Sequence, residues 1–121
     1  MHEESGLSMK FLAESQGMVV LEATLEQKQG VIAVLQKSMS IPALDVPMLS
    51  LIPRDDLQEI IDTIIDQTAN GNTLRLSQAD FRAVKRVTKT LEDRYFDLEA
   101  ECGAYPGMSR DIADISERLE V

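Results

Sequence analysis

Histidine and cysteine are the side chains that most often carry acid–base, nucleophilic and zinc chemistry near neutral pH. This chain holds one of each, His2 and Cys102. His2 belongs to residues 1–7, a terminal stretch expected to be flexible, so no triad can be built around it. Cys102 falls on an apolar helical face with no internal histidine to stabilise a thiolate, and reads as a buried, inert thiol. Carboxylates are plentiful, 21 in all. Asp55, Glu59, Asp62 and Asp66 recur at i, i+4, i+7 and i+11 along one helix face. A hard cation would need carboxylates from a second helix converging on the same point. The helix that follows offers mostly basic residues at the matching end, so the stripe reads as a solvated face.

Asp66, Thr68, Asn70 and Gly71 occupy positions one, three, five and six of an EF-hand calcium loop. The remainder fails, because position twelve is Ser77 where a bidentate Glu is required. No glycine-rich loop is available to cradle phosphate. The expectation is therefore a non-enzymatic protein with no catalytic residue, metal or cofactor.

Three groups of residues could instead bind a macromolecule. Arg82, Lys85, Arg86 and Lys89 recur at i, i+3, i+4 and i+7 and form a candidate charge-recognition face. They stand in the first half of their helix with Glu92, Asp93, Asp97, Glu99 and Glu101 after them, the reverse of what the helix dipole favours. Some partner should offset that arrangement, and the acidic stripe of the preceding helix is the nearest one. The rival reading is a DNA-binding regulator touching the phosphate backbone through the same helix. The connection from Asn70 to Leu76 is long for a helix-turn-helix, and acidic flanks repel phosphate. A second group is the linker 40–53, held stiff by Pro42, Pro47 and Pro53. Its Ile41, Leu44, Val46, Met48 and Leu49 are more apolar than a solvated loop needs, and they either cover the core or dock a partner. The third is a heptad seam ending in Leu91, Tyr95, Leu98 and Cys102, a candidate dimer face.

The elements that must position these residues are read as helices. Leu57, Ile60, Ile61, Ile64 and Ile65 make an apolar stripe over Arg54–Ala69, preceded by Pro53 and stopped at Asn70-Gly71. A longer helix starts at Ser77, capped by its hydroxyl, and runs to Cys102 before Gly103. The stretch from Ser8 to Ser38 reads as a helix broken near a glycine. A hairpin of Met18–Leu25 with Val31–Gln36 is the alternative, since Val19, Leu21, Ala23 and Leu25 alternate. A Pro106-Gly107 turn leads into a short helix capped by Ser109, with Ile112, Ile115 and Leu119 on one face.

The 121 residues, with 44% hydrophobic and 27% charged side chains, suit one globular domain. A net charge of −9 argues against general binding to nucleic acid or anionic membrane. Residues 75–94 depart from that balance, with six basic against three acidic side chains. No apolar run reaches the ~20 residues that span a bilayer, and a lone cysteine fits the cytoplasm. The expectation is a single all-α domain, a bundle of three or four helices centred on an antiparallel hairpin from Arg54 to Cys102. It would act as an adaptor, chaperone-like or regulatory subunit that binds another protein and self-associates as a homodimer.

Overall fold

The computed structural model describes residues 8–41, 52–94 and 96–119. Three strands, β1 (Lys10–Ser15), β2 (Met18–Glu22) and β3 (Thr73–Ser77), form an antiparallel sheet in the order β1-β2-β3. Five helices accompany it: α1 (Leu25–Ser40), α2 (Arg54–Asp66), α3 (Gln78–Asp93), α4 (Leu98–Cys102) and α5 (Met108–Leu119). The fold is mixed α/β, which overturns the expected all-α helical bundle.

The correction begins in the first third. Gln16 and Gly17 have φ of 54° and 81°, and Ser15 pairs with Met18 across them. Two successive positive φ values are what a two-residue type I′ hairpin loop demands. Gly17, read as a break in a helix, is thus the turn between β1 and β2. Val19 and Leu21 are completely buried on one side of β2, while Met18, Val20 and Glu22 point to the other. The strand expected as the alternative is present, but its partner is Lys10–Ser15 and not 31–36. Helix begins only at Leu25. The Thr24 hydroxyl accepts from the Gln27 N–H at 3.2 Å, and the Gln27 amide oxygen accepts from the Thr24 N–H at 2.8 Å, a reciprocal capping box.

β3 lies where the residue pattern predicts only a connection between helices. Its Leu74 and Leu76 alternate with exposed Arg75 and lie opposite Leu21 and Val19 in the core. The open edge of β3 is met by one side chain: the Gln67 amide donates to the Arg75 carbonyl at 2.8 Å and accepts from its N–H at 2.7 Å. That pairing occupies backbone groups an edge strand would otherwise offer to another chain.

β3 also separates α2 from α3, so the expected central hairpin does not form. Both helices rest chiefly on α1, which touches α4 and α5 as well. α2 follows the sequence pattern, burying Leu57, Ile60, Ile61 and Ile64 while leaving Ile65 exposed. Ser77 caps α3 by accepting from the Asp80 N–H at 3.0 Å. The helix expected to reach Cys102 instead stops at Asp93. Asp97 then starts α4 by accepting from the N–H groups of Glu99 and Ala100, and Gly103, at φ 81°, ends it.

α5 starts after the Pro106-Gly107 turn and buries Ile112 and Ile115. Its Asp111, 5% exposed, accepts from the Met9 N–H and from the Tyr105 hydroxyl, both at 2.9 Å on Oδ2. One carboxylate oxygen therefore ties α5 to the start of β1 and to the α4–α5 loop. That loop comes so close to α1 that a Cβ on Gly30 would lie 2.9 Å from the Tyr105 nitrogen.

Candidate functional site

Of the three candidate surfaces, one is consumed by the protein's own core. Leu91, Leu98 and Cys102 are buried, and the helix break between Asp93 and Leu98 removes the continuous seam; Tyr95 lies outside the described residues. Burial pushes the Cys102 thiol up, Glu101 and Asp97 push the same way, and Lys37 opposes them. The thiol stays protonated and a poor nucleophile. Within the linker, Leu44, Val46, Met48 and Leu49 also lie outside the described residues, whereas Ile41 is half-buried against the core and Ile52 is buried.

The basic face of α3 is the surface that is both described and turned to solvent. Arg82, Arg86 and Lys89 are exposed and Lys85 is half-buried. The opposite side of the same helix buries Phe81, Val84, Val87 and Leu91, and this fixes the basic residues outward. Lys89 and Asp93 approach to 3.5 Å with side chains 70% and 63% exposed, a contact worth about 0–1 kcal/mol at most. Among the described residues neither Arg82 nor Arg86 forms an ion pair. The expected pairing with the acidic stripe of α2 is absent for these two arginines, because α2 and α3 each pack chiefly on α1 and scarcely along one another. Asp55, Glu59, Asp62 and Asp66 are all exposed in their own right.

Two clefts border this face. One of about 390 Å³ runs along α3 past Lys85, Arg86, Lys89, Asp93 and Arg94. A second of about 210 Å³ lies where the start of α2, at Ile52, Pro53 and Asp56, meets Arg82 and Arg86. The two share Arg82 and Arg86. A solute in either would meet guanidinium groups that hold their charge at any physiological pH and offer forked donors to a carboxylate or phosphate.

A third cavity, of about 700 Å³, opens between the end of α3, α4 and the start of α5, where no residue pattern in the chain marks a site. Its floor includes Phe96, Tyr105 and Met108, and its rim carries Glu92, Asp97 and Glu99. The Lys37 ammonium stands 5.9 Å from the centre of the Phe96 ring. Tyr105 is the one hydroxyl there with a strong perturbation: burial, the charge of Asp111 and their hydrogen bond all raise its pKa. It therefore stays a donor to Asp111 and holds the loop in place.

The turn after α2, whose residues match part of an EF-hand loop, is tied down by an ammonium. Lys28, fully buried, donates to the carbonyls of Gln67 at 2.7 Å and Gly71 at 3.0 Å, at the C-terminal end of α2, where a positive charge is favoured. Burial lowers the Lys28 pKa. Among the described residues no group of three or more His, Cys, Asp and Glu side chains could hold a metal ion, and no helix is long and apolar enough to cross a membrane. No protein-family model matches the chain, and neither curated proteins nor solved structures give a match.

Proposed function

We propose that this chain is a non-enzymatic binding module that recognises an acidic protein surface through the basic face of α3. One observation supports the reading: Arg82, Arg86 and Lys89 stand exposed on one helix face, bordering two clefts, in a chain whose net charge is −9. Carboxylate-rich protein surfaces suit such a face better than duplex DNA does. The acidic residues on either side, Asp56 near the start of α2 and Glu92 and Asp93 at the end of α3, would repel a continuous phosphate backbone but can be avoided by a compact acidic patch. A cytoplasmic setting fits the single cysteine, which cannot close an internal disulfide.

The reading is tested by affinity capture from cells with the wild-type chain and with an Arg82→Glu/Arg86→Glu variant as parallel baits. Both positions are exposed, so the variant should fold with stability within about 0.5 kcal/mol of wild type. Acidic proteins retained by the wild type and lost by the variant support the reading. Identical capture by both baits, or tight salt-dependent binding of wild type to duplex DNA, refutes it.

A further inference from the structure

The charge on α3 is not only dense but antisymmetric along the helix. Arg82, Arg86, Lys89 and Asp93 follow one another at i, i+4, i+7 and i+11 on the exposed face, with Lys85 and Glu92 beside them. Residues seven apart share one flank of that face and carry opposite signs across its middle, Arg86 against Asp93 and Lys85 against Glu92. Asp97 and Glu99, exposed just past the end of the helix, extend the negative half, which exposed Arg94 interrupts with one positive charge. A two-fold rotation about an axis near Lys89 exchanges the two halves, so the surface is complementary to itself.

We propose that the acidic surface recognised by α3 is that of a second copy of this chain, with the two α3 helices packed antiparallel about such an axis. The inference rests on the reading of α3 as the recognition face and names its partner. Arg86 then faces the partner's Asp93, and Arg82 lies toward the partner's Asp97 just past the end of its helix. Lys89, nearest the axis, already holds Asp93 at 3.5 Å, which moderates repulsion between the two lysines there. Helix dipoles favour the same arrangement. Within one chain the basic half lies toward the positive end of α3, and its first turn holds one acid, Asp80, with no basic residue in its last turn. In the antiparallel pair each basic half lies beside the negative end of the other helix. The contact is isologous and closes at two copies. Being built from surface charge over aliphatic stems, it should be salt-sensitive.

The test is sedimentation of the full chain over a wide concentration range at low and high salt, with charge-reversed variants. Wild type should form a reversible dimer that dissociates as salt rises. Arg82→Glu/Arg86→Glu reverses two charges of the basic half, and Glu92→Lys/Asp93→Lys reverses two of the acidic half. Each alone should weaken the dimer by about 100-fold or more, and an equimolar mixture of the two should restore a heterodimer. Wild-type monomer throughout at low salt overturns the inference, as does a dimer that neither variant weakens or a mixture that fails to recover. If wild type is monomeric while Arg82→Glu/Arg86→Glu still loses a captured acidic protein, self-pairing fails and the broader reading of α3 stands. If capture is also unchanged, both fail. Thermal melts of each variant show that it is folded.

Discussion

Removing the Asp111 carboxylate should loosen the whole C-terminal third, because one oxygen holds two other segments. In Asp111→Ala the Met9 N–H and the Tyr105 hydroxyl, each 2.9 Å from Oδ2, lose their acceptor inside the protein. A buried donor left without a partner costs about 1–3 kcal/mol, so two cost roughly 2–5 kcal/mol once the relief of no longer burying a carboxylate is set against the upper end. For a domain of this size about 4 °C of melting temperature accompanies each kcal/mol, which gives a fall of roughly 8–20 °C. Tyr105→Phe removes a donor and leaves Asp111 its bond to Met9, and should cost only about 1–1.5 kcal/mol. Asp111→Asn retains one acceptor oxygen and should fall between wild type and Asp111→Ala. The two sites share one interaction, so the Asp111→Ala/Tyr105→Phe pair should lose about 1 kcal/mol or more less than the sum of the single changes. Urea and thermal unfolding followed by circular dichroism give all four values. An Asp111→Ala protein melting within about 2 °C of wild type, or fully additive effects, would refute the latch.

Other outcomes follow from single contacts. Gly30→Ala, which would gain about 1 kcal/mol of helix propensity on an open surface, should instead destabilise by about 1–3 kcal/mol, since the new Cβ meets the Tyr105 nitrogen at 2.9 Å; a higher melting temperature would contradict that close approach. The native Cys102 thiol should react with a thiol reagent far more slowly than the same thiol in denaturant, as its burial and raised pKa require; equal rates would show that it is not buried beneath α1. The folded Tyr105 has a raised pKa, so above the ordinary value of 10.0 the unfolded chain releases a proton that the native chain keeps. Stability contributed by Tyr105 is therefore complete below that pH and lost above it. The advantage of wild type over Tyr105→Phe should shrink as pH rises past 10, and an advantage constant with pH would contradict the assignment.

How much of this was legible in the residues differs by element. α2 could be read from its isoleucine stripe, and the starts of α3 and α5 from Ser77 and Pro106-Gly107, because periodicity and capping are local signals. The sheet was missed for identifiable reasons. Gln16-Gly17 is a weaker hairpin mark than Asn-Gly, and β1 is largely exposed, so it lacks a clean alternation of buried and exposed residues. Thr24 with Gln27 was the available mark that helix starts only at Leu25, and it separates a Val-Val strand from the helix-favouring tract that follows. β3 spans five residues, too short for its period of two to stand out from a loop. In the seam, spacing alone could not distinguish a face turned to a partner from one turned to the core. α1 supplies the cover that buries Leu91, Leu98 and Cys102, and its position depends on long-range packing. The basic face of α3 survived the change of fold because amphipathicity within one helix fixes which side is solvated, whatever that helix packs on.

If α3 recognises acidic protein surface by its charge, salt and charge reversal should both weaken binding, as measured by the affinity of wild-type and Arg82→Glu/Arg86→Glu chains for the same captured partner, or for a second copy, over rising salt. Wild-type affinity should fall steadily with salt, and the variant should bind at least about 10-fold more weakly at low salt, with the difference narrowing as the charges are screened. Equal affinities for the two chains, unchanged by salt, would show that α3 does not bind through its charge.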